Sequence, residues 1–196
     1  MKYLLDGQTT ARLSFRLLSP ADFDAWLPFC SDPDAVRFIG LPPEETPEGR
    51  CRDWFERIEA RYREDRGGMN ALIERATGDF VGQAGLLVQE VDGQAELEIS
   101  YSLLPRFRGQ GYAAEAARKC RDYAFEQGFA DSLISIIHVE NAPSARVARK
   151  NGLQPTKRTF FKGFPVDIFR IERSVCLTMP QPELDFVPFF PKRTER

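Results

Sequence analysis

The sequence predicts an α/β fold in which a mixed sheet carries helices on its faces, and three observations support this prediction. Segments with strand and helix patterns follow one another in the order strand, helices, antiparallel meander, strand-helix-strand, helix and hairpin. Asp92-Gly93 separates two strand-like runs, which is a strong hairpin signal. The near-continuous apolar run SLISIIHV, at 132–139, is typical of a strand that is buried on both faces.

The first predicted strand is ARLSFRLL, at 11–18, because apolar and polar residues alternate there. A helix should begin at Ser19-Pro20, where a capping serine, a first-turn proline and the acidic Asp22 occur together. Pro28 is then expected to break or kink this helix, because proline lacks an N–H and its ring clashes with the preceding turn.

A second helix is predicted to begin at Thr46-Pro47-Glu48 and to end at Gly67-Gly68. Its apolar residues recur with helical spacing, and they are Cys51, Trp54, Phe55, Ile58 and Tyr62. The mixed charges of RIEARYREDR, at 57–66, are interpreted as the solvated face of the helix.

The remaining elements follow from similar signals. The meander comprises MNALIER and FVGQAGLLVQEVDGQAELEISYSLL, and an alanine-rich helix should run from about Gln110 to Gly128. A short helix is predicted after the buried strand, with Asn141 as its cap and Gly152 as its end. The segment LQPTKRTFFKGFPVDIFRIERSV predicts a hairpin that turns near Gly163.

The composition indicates a soluble globular protein with one domain. The chain has 196 residues, of which 42% are hydrophobic and 29% charged, and its net charge is −2. We therefore expect no nucleic-acid partner, and since no apolar run approaches the roughly 20 residues that cross a bilayer, no membrane partner. The four scattered cysteines predict reduced thiols in the core, a cytoplasmic location and no metal site.

The domain is expected to span residues 1–176, with a tail at 177–196. The tail is rich in proline but also contains Phe186, Phe189 and Phe190, which is more apolar surface than a disordered segment needs. We expect it to dock on its own domain or on a partner subunit of a monomeric or homodimeric protein.

The segment RFRGQGYA, at 106–113, places glycines and positive charge where a strand gives way to a helix. The first amides of a helix have no intrahelical partner and attract anions, and glycines let an anion approach the backbone. Arg106 and Arg108 would add charged donors suited to phosphate. The alternative is an ordinary glycine loop with two solvated arginines. Neither the nucleoside-triphosphate motif G-x-x-x-x-G-K-[ST] nor the dinucleotide motif G-x-G-x-x-G is present.

Three segments in order resemble the GCN5-related N-acetyltransferases, the GNAT superfamily. RFRGQGYA resembles the Q/R-x-x-G-x-G/A motif, and NAPSARVARKNGL resembles the N-x-x-S/A…G-F segment. The opening ARLSFRLLSPADFDAWLPFCSDPDAVRFIG resembles the RimJ/RimL-type branch, the ribosomal-protein-alanine acetyltransferases. The resemblance covers about residues 10 to 175. It implies a mostly antiparallel sheet whose central parallel strand pair splays to hold acetyl-CoA.

The resemblance also implies which residues bind acetyl-CoA as co-substrate. They are Ser102, Leu103, Leu104, Arg106, Arg108, Gly109, Gln110, Gly111, Tyr112, Asn141 and Ser144. The pantetheine arm would run beside the strand at 102–104 like an added strand, and the glycine segment would bind the pyrophosphate. Ser144 would be catalytic, as donor to the thiolate leaving group, although helix capping is an alternative explanation of Asn141 and Ser144.

The implied reaction is direct attack of a primary amine on the thioester in a ternary complex. A lysine amine has a pKa of ~10.4 and an α-amine of ~8, so a base must first remove a proton. Glu98 matches the acidic residue of the family's E-[IL]-G-Y segment and is the leading catalytic base. Alternation places Glu96, Glu98, Ser100 and Ser102 on one strand face. The alternative is that Glu98 pairs with an arginine; His138 is a reserve base, unless it is a structural histidine.

Two departures from the family pattern leave the function open to a second hypothesis. Ala148 stands where many members have a tyrosine acid, and Gln154 stands where RimL-type enzymes tend to have a glutamate. A non-catalytic acyl-CoA-binding or sensing module is therefore the alternative to an enzyme. The resemblance places Phe38, Phe161 and Phe164 beside the acceptor cleft, where the amine would be a protein N-terminus or a small molecule; as an alternative, these aromatics belong to the core.

Overall fold

The computed structural model describes residues 2–38 and 46–178. The strands are β1 (Leu13–Leu17), β2 (Gly67–Glu74), β3 (Phe80–Val91), β4 (Gln94–Leu103), β5 (Ser132–His138), β6 (Gln154–Phe161) and β7 (Phe164–Glu172). The helices are α1 (Phe23–Cys30), α2 (Pro33–Val36), α3 (Pro47–Arg63), α4 (Tyr112–Glu126), α5 (Ala142–Lys150) and α6 (Arg173–Thr178). The strands form one sheet in the order β1-β2-β3-β4-β5-β7-β6. Its pairs are antiparallel except for β4 and β5, which run parallel. The predicted mixed α/β fold is confirmed.

Helices cover both faces of the sheet, as predicted. Leu86 and Leu87 are consecutive in β3, so their side chains point to opposite faces. Leu87 packs with Met69 and with Ile58 of α3, whereas Leu86 belongs to the large core cluster that includes Ala116 of α4. The interior also holds four cysteines as free thiols, namely Cys30, Cys51, Cys120 and Cys176.

Both predicted hairpins turn on two residues in the left-handed region. In the turn between β3 and β4, Asp92 has φ 50° and Gly93 has φ 77°. In the turn between β6 and β7, Lys162 has φ 50° and Gly163 has φ 84°. Two-residue turns of this type match the twist of antiparallel strands, which is why the Asp-Gly signal was reliable.

The N-terminal predictions are confirmed except for the effect of Pro28. The carboxylate of Asp22 accepts a 2.9 Å hydrogen bond from the amide of Ser19, which fixes the start of the helical region. The predicted break is wrong, because α1 continues beyond Pro28 to residue 30. Proline removes only one hydrogen bond from this short helix, and the buried rings of Trp26 and Phe29, stacked 4.2 Å apart, hold the segment in the core.

The predicted end of the second helix is also wrong. Helix α3 ends at Arg63, and Gly67-Gly68 begin β2 instead. Gly67 has φ 67°, and a Cβ there would lie 2.0 Å from the carbonyl oxygen of Leu86. These glycines therefore permit close approach of two strand backbones, a role that composition alone does not distinguish from a helix stop.

The C-terminal region contains one element that the sequence pattern did not predict. The segment after β7 forms the short helix α6, where only a hairpin was expected. Of the tail predicted at 177–196, residues 177 and 178 end α6, and residues 179–196, with Phe186, Phe189 and Phe190, lie outside the described residues, as do residues 1 and 39–45. Within the part of the chain that the structure describes, no helix has the length and apolar character needed to span a bilayer.

Candidate active site

The central parallel strands open into a cleft immediately after their point of contact. β4 and β5 are in register only at Glu98 and Ile134. The hydroxyl of Ser135 donates a 2.8 Å hydrogen bond to the carbonyl of Ile99 and closes the base of the opening. Beyond it, residues 100–102 and 136–138 line a cleft of about 420 Å³. The splayed strand pair implied by the resemblance is therefore present.

The predicted phosphate cradle lies at the end of β4 and the start of α4. Gly109 and Gly111 have φ values of 77° and 86°, and Gly111 is the residue before the first helical turn. The first helical hydrogen bond runs from the amide of Glu115 to the carbonyl of Gly111. The six backbone amides at 109–114 donate to none of the described residues. Such a row of unpaired amides at a helix start fits a pyrophosphate, and the glycine torsions keep the backbone accessible.

The two cradle arginines already contact carboxylates. Arg108 forms a 2.6 Å ion pair with Asp32 and donates from Nε to the carbonyl of Leu103 at 3.3 Å. Arg106 lies 3.8 Å from Asp79 and stacks over Phe107. Arg108 is thus held beside the cradle, whereas the side chain of Arg106 is 66% exposed, and a bound phosphate would share both guanidinium groups with these carboxylates.

A third arginine at the cradle was missed by the sequence analysis. Arg12 donates to the carbonyl of Gln110 at 3.0 Å and forms a 2.7 Å ion pair with Glu115. Its guanidinium also lies 4.2 Å from the ring centroid of Tyr112. Arg12 is about 100 residues away in sequence, and nothing in the alternating pattern around it indicates this contact.

Glu98 lines the cleft at the position where β4 pairs with β5, and it is 7% exposed. Its carboxylate accepts a 2.7 Å hydrogen bond from Nε2 of Gln89 and another from the backbone N–H of Ile136. Burial raises the pKa of this carboxyl, and the two hydrogen bonds partly oppose the increase. The alternative that Glu98 pairs with an arginine is wrong among the described residues; that pairing belongs to its neighbour Glu96, which contacts Arg170.

Asn141 and Ser144 enter the cleft from the first turn of α5. The side chain of Asn141 accepts a 3.1 Å hydrogen bond from the amide of Ser144, so the predicted cap is present. The hydroxyl of Tyr101 donates to the carbonyl of Ser144 at 2.9 Å. Burial raises the pKa of Tyr101 to about 12, although hydrogen bonding to Ser144 opposes this change. Ala148 is buried in the core, away from the cleft.

Tyr101 is a cleft residue that alternation assigned to the opposite strand face. Its ring does pack against the core, as its position in β4 requires, but the long side chain carries the hydroxyl into the cleft. The tyrosine itself was a signal for such a contact, because a buried tyrosine normally has a hydrogen-bond partner for its hydroxyl group. The alternation of residues along a strand indicates the sheet face on which a side chain begins, but it does not indicate where the end of a long side chain lies.

The aromatic residues predicted for the acceptor side do line the cleft. Phe38 lies 5.2 Å and Phe164 lies 6.3 Å from the ring of His138, measured between ring centroids, and Phe161 borders the same space. Nδ1 of His138 accepts a 3.2 Å hydrogen bond from the amide of Glu140. His138 is thus hydrogen-bonded and also faces the cleft.

The interpretation of RIEARYREDR as a solvated face is wrong for part of the segment. Arg57 and Arg61 of α3 line the cleft, together with Arg66 from the turn that follows. Arg57 and Arg66 are nevertheless still exposed, and on the other side of the helix Glu59 and Arg63 form an exposed 3.1 Å ion pair. The sequence spacing could have indicated that these arginines face the protein, because Arg57 and Arg61 are one helical turn apart and flank the buried Ile58.

The cleft carries no cluster of metal ligands in the described part of the chain, where no group of three or more histidine, cysteine, aspartate and glutamate residues could hold a metal ion. The cleft is lined by a buried carboxylate together with aromatic and basic side chains. The unpaired amides and the cradle arginines lie beyond Ser102, between the end of β4 and the start of α4.

Comparison with known proteins gives consistent matches over most of the chain. A family model described as an acetyltransferase (GNAT) domain matches residues 12–154. YkkB of Bacillus subtilis, described as uncharacterized, is 33% identical over 129 residues, covering 65% of this chain and 72% of that protein. The crystal structure of an acetyltransferase from Agrobacterium tumefaciens is 28% identical, with a TM-score of 0.70 over 88% of this chain and 97% of that chain.

A more distant likeness concerns the fold alone. The structure of RimL, a ribosomal alpha-N-protein acetyltransferase in complex with coenzyme A, has a TM-score of 0.68. The two chains are 15% identical, and the match covers 85% of this chain and 97% of that chain. The same arrangement of strands and helices therefore holds coenzyme A in another protein.

Proposed function

The chain belongs to the GNAT acetyltransferase family and is an acetyl-CoA-dependent acyltransferase, and we propose that it transfers the acetyl group to a primary amine held in the same cleft. One observation carries this proposal. Six unpaired amides lie at the helix start that follows β4, and a buried carboxylate of raised pKa lines the cleft that extends along β4 to Ser102. The first suits a pyrophosphate and the second suits an amine that must lose a proton.

The residues predicted to bind acetyl-CoA fit that group. The amides from Gly109 to Tyr112 would hold the pyrophosphate, with Arg106 and Arg108 beside it. The amides of Tyr101 and Leu103 point toward the opening, because strand amides alternate in direction and the amide of Leu104 is bonded to β3. They would bind the pantetheine arm in the manner of an added strand, and Asn141 would hold it from the other side. When bound, acetyl-CoA supplies the thioester.

Glu98 would remove the proton from the acceptor ammonium, directly or through one water molecule. Its raised pKa brings the carboxylate closer in basicity to the amine it deprotonates, which favours proton transfer. Gln89 and the amide of Ile136 fix the orientation of the carboxylate. His138 would be the reserve base.

Ser144 would donate a proton or a hydrogen bond to the departing thiolate. Tyr101 is bonded to Ser144 and stays protonated at neutral pH, since its pKa is raised to about 12. The two hydroxyl groups together would take the role that a tyrosine on this helix has in many members of the family, since the corresponding residue of this chain, Ala148, lies in the core.

The finer assignments remain proposals. The N-terminal segment at 11–40 supports the RimJ/RimL-type branch, and the acceptor would be a protein N-terminus or a small-molecule amine. We propose that the domain spans 1–176, that the tail at 177–196 docks on it or on a second copy, and that the protein acts in the cytoplasm as a monomer or homodimer.

The test is amine-dependent release of free CoA from acetyl-CoA over a broad panel of amines and peptides. Glu98→Gln should lower kcat/KM by about 100-fold or more, the usual range for loss of a general base. Glu90→Gln is the matched control, because Glu90 is an exposed residue of β3 outside the cleft. Binding of CoA without amine-dependent release would support the non-catalytic alternative and overturn the proposal.

A further inference from the structure

We propose that the acceptor amine also carries an anionic group, a carboxylate or a phosphate, which binds to a cationic wall of the cleft formed by Arg57, Arg61, Arg66 and Lys162. This inference rests on the proposed function, since it names the class of amine. The carrying observation is an excess of positive charge in the cleft, where these four cations share the lining with one carboxylate, Glu98, among the described residues.

The cationic wall is assembled from two separate parts of the chain that line the same cleft and lie close enough for their charges to act on one another. Arg57 and Arg61 lie one turn apart on α3, and Arg66 follows in the turn before β2. Lys162 comes from the turn between β6 and β7. An anion between them would contact cations from both sides, which is the arrangement that arginine-rich sites use for carboxylate and phosphate.

The charges of the cationic wall are not neutralised inside the cleft. Glu98 is the single carboxylate among the described residues that line it, and its charge acts on Arg61 and Lys162 without forming an ion pair with either, so it offsets only part of the positive charge. Only Arg66 of the four forms an ion pair among the described residues, with the exposed Glu64 at 2.8 Å. The chain as a whole has a net charge of −2, so the excess is local.

Arg61 shows the imbalance most clearly. It donates to the carbonyls of Val88 at 2.6 Å and Arg66 at 3.1 Å, while its buried Nε has no partner among the described residues. Its pKa is lowered, first by burial and then by the charge of Arg66. The pKa of Lys162 is lowered as well, first by loss of water around the amine and then by Arg57. Like charges therefore lie close enough to repel one another.

The cationic wall is too far from the phosphate cradle to serve the cofactor's pyrophosphate. Arg61 is bonded to Val88, which pairs with Leu97 of β4. The cradle follows Leu103, six residues further along β4, and at ~3.4 Å per residue this separation is about 20 Å. The cationic wall thus lies at the Glu98 end of the cleft, where the acceptor amine must bind.

The lining of the cleft also indicates the rest of the acceptor. Trp54, Met69, Phe161 and Phe164 add apolar surface to the same lining that holds the carboxylate and the cations. An amine with an apolar body and an anionic group, such as an apolar α-amino acid or its phosphonate analogue, would satisfy all three features. A polyamine or aminoglycoside would bring further positive charge against the cationic wall and is disfavoured.

The first test compares acceptors that differ only in charge. We would measure kcat/KM by CoA release for phenylalanine, its phosphonate analogue, phenylalaninamide, phenethylamine and spermidine. The anionic acceptors should exceed the neutral ones by about tenfold or more, as charge-assisted hydrogen bonds predict. The amine of phenylalaninamide is less basic than that of phenylalanine and therefore loses its proton more easily. A higher kcat/KM for phenylalanine would thus reflect binding of its carboxylate.

The outcomes of this comparison separate the two proposals. A preference for the carboxylate or for the phosphonate identifies which anion the cationic wall recognises. Equal use of neutral acceptors, or a preference for spermidine, would overturn the inference and leave the proposed function intact. If none of these five amines releases CoA while another member of the broad panel does, the inference fails and the proposed function stands; no release over the whole panel overturns both.

The second test removes charges from the cationic wall. Arg57→Gln and Lys162→Gln should each raise KM for the anionic acceptor by about three- to fivefold, as for partly exposed ion pairs, and leave KM for phenethylamine within about twofold. Arg57→Glu should move the preference toward spermidine. Arg63→Gln is the matched control, since Arg63 is exposed on the same helix and lies outside the cleft. Equal effects on anionic and neutral acceptors would contradict the inference.

Discussion

Gln89 donates a 2.7 Å hydrogen bond to the carboxylate of Glu98, diagonally across the antiparallel strands β3 and β4. This bond favours the ionised form and therefore holds the pKa of Glu98 below the value that burial alone would give. Gln89 is thus a positioning residue for the proposed base, and the pair links the fold directly to the pH dependence of the reaction.

Replacing Gln89 with methionine should move the acid limb of the pH profile of kcat/KM to higher pH. A hydrogen bond to a charged group contributes about 1.5–3 kcal/mol, which corresponds to a shift of about one to two pH units. The measurement is the pH profile of amine-dependent CoA release. Gln94→Met is the control, because Gln94 is exposed at the end of the same hairpin. An unshifted acid limb would show that Glu98 does not control the reaction.

Glu98→Gln should stabilise the protein, and the gain should grow with pH. Because burial raises the pKa of Glu98 in the folded state, wild-type stability falls as pH rises from the ordinary glutamate value through the folded value, by up to about 1.4 kcal/mol per pH unit. The introduced glutamine does not ionise, and the side-chain amide of Gln89 can rotate so that its oxygen accepts a hydrogen bond from the new side chain. Thermal unfolding at pH 4 and pH 8 checks this; a variant that loses stability at pH 8 would contradict it.

The glycines of the cradle should be required for CoA binding beyond their effect on stability. Gly109→Ala places a side chain at φ 77°, which costs about 1–2 kcal/mol of folding stability. Gly128→Ala is a matched control, because Gly128 lies just beyond the other end of α4 with φ 65° and equally open space. Both variants should lose similar stability in thermal unfolding, but only Gly109→Ala should weaken CoA binding in calorimetry. Equal affinities would argue against the cradle.

The parts of the molecule that the sequence predicted well depend on local chemistry. The turns at Asp92-Gly93 and near Gly163 follow from backbone torsions that few residues adopt, and the cradle follows from glycines at a helix start. Gly67-Gly68 show the limit of such signals, since glycine permits both a helix end and a close strand contact. Local sequence does not decide between them.

The parts that the sequence missed depend on contacts between distant segments. Arg12 reaches the cradle across about 100 residues, and Lys162 faces Arg57 across a similar interval. The arginines of α3 were interpreted as solvated because a charged helix face usually is. Which face is solvated depends on what lies opposite it, and that is determined by the strand order of the sheet.

The hydroxyl groups of Ser144 and Tyr101 should have separable roles, and this is the last prediction. Ser144→Ala removes the proposed donor to the thiolate and should lower kcat by about 10- to 100-fold with little change in stability. Tyr101→Phe removes a buried hydrogen bond to the carbonyl of Ser144 and should cost about 1 kcal/mol of stability in addition to any loss of kcat. Because the pKa of Tyr101 is raised to about 12, neither variant should change the alkaline limb of the pH profile below pH 10.

The measurements are kcat over pH 6–10 and thermal unfolding of both variants. Ser132→Ala is the control for loss of a serine hydroxyl, because Ser132 bonds to Arg170 at the far end of β5, outside the cleft. If Ser144→Ala keeps full kcat while Tyr101→Phe loses it, the phenol is the donor and the assignment of Ser144 is wrong. If both keep full kcat, the thiolate leaves without a donor from this chain, and the cleft accelerates the reaction through Glu98 and the cradle alone.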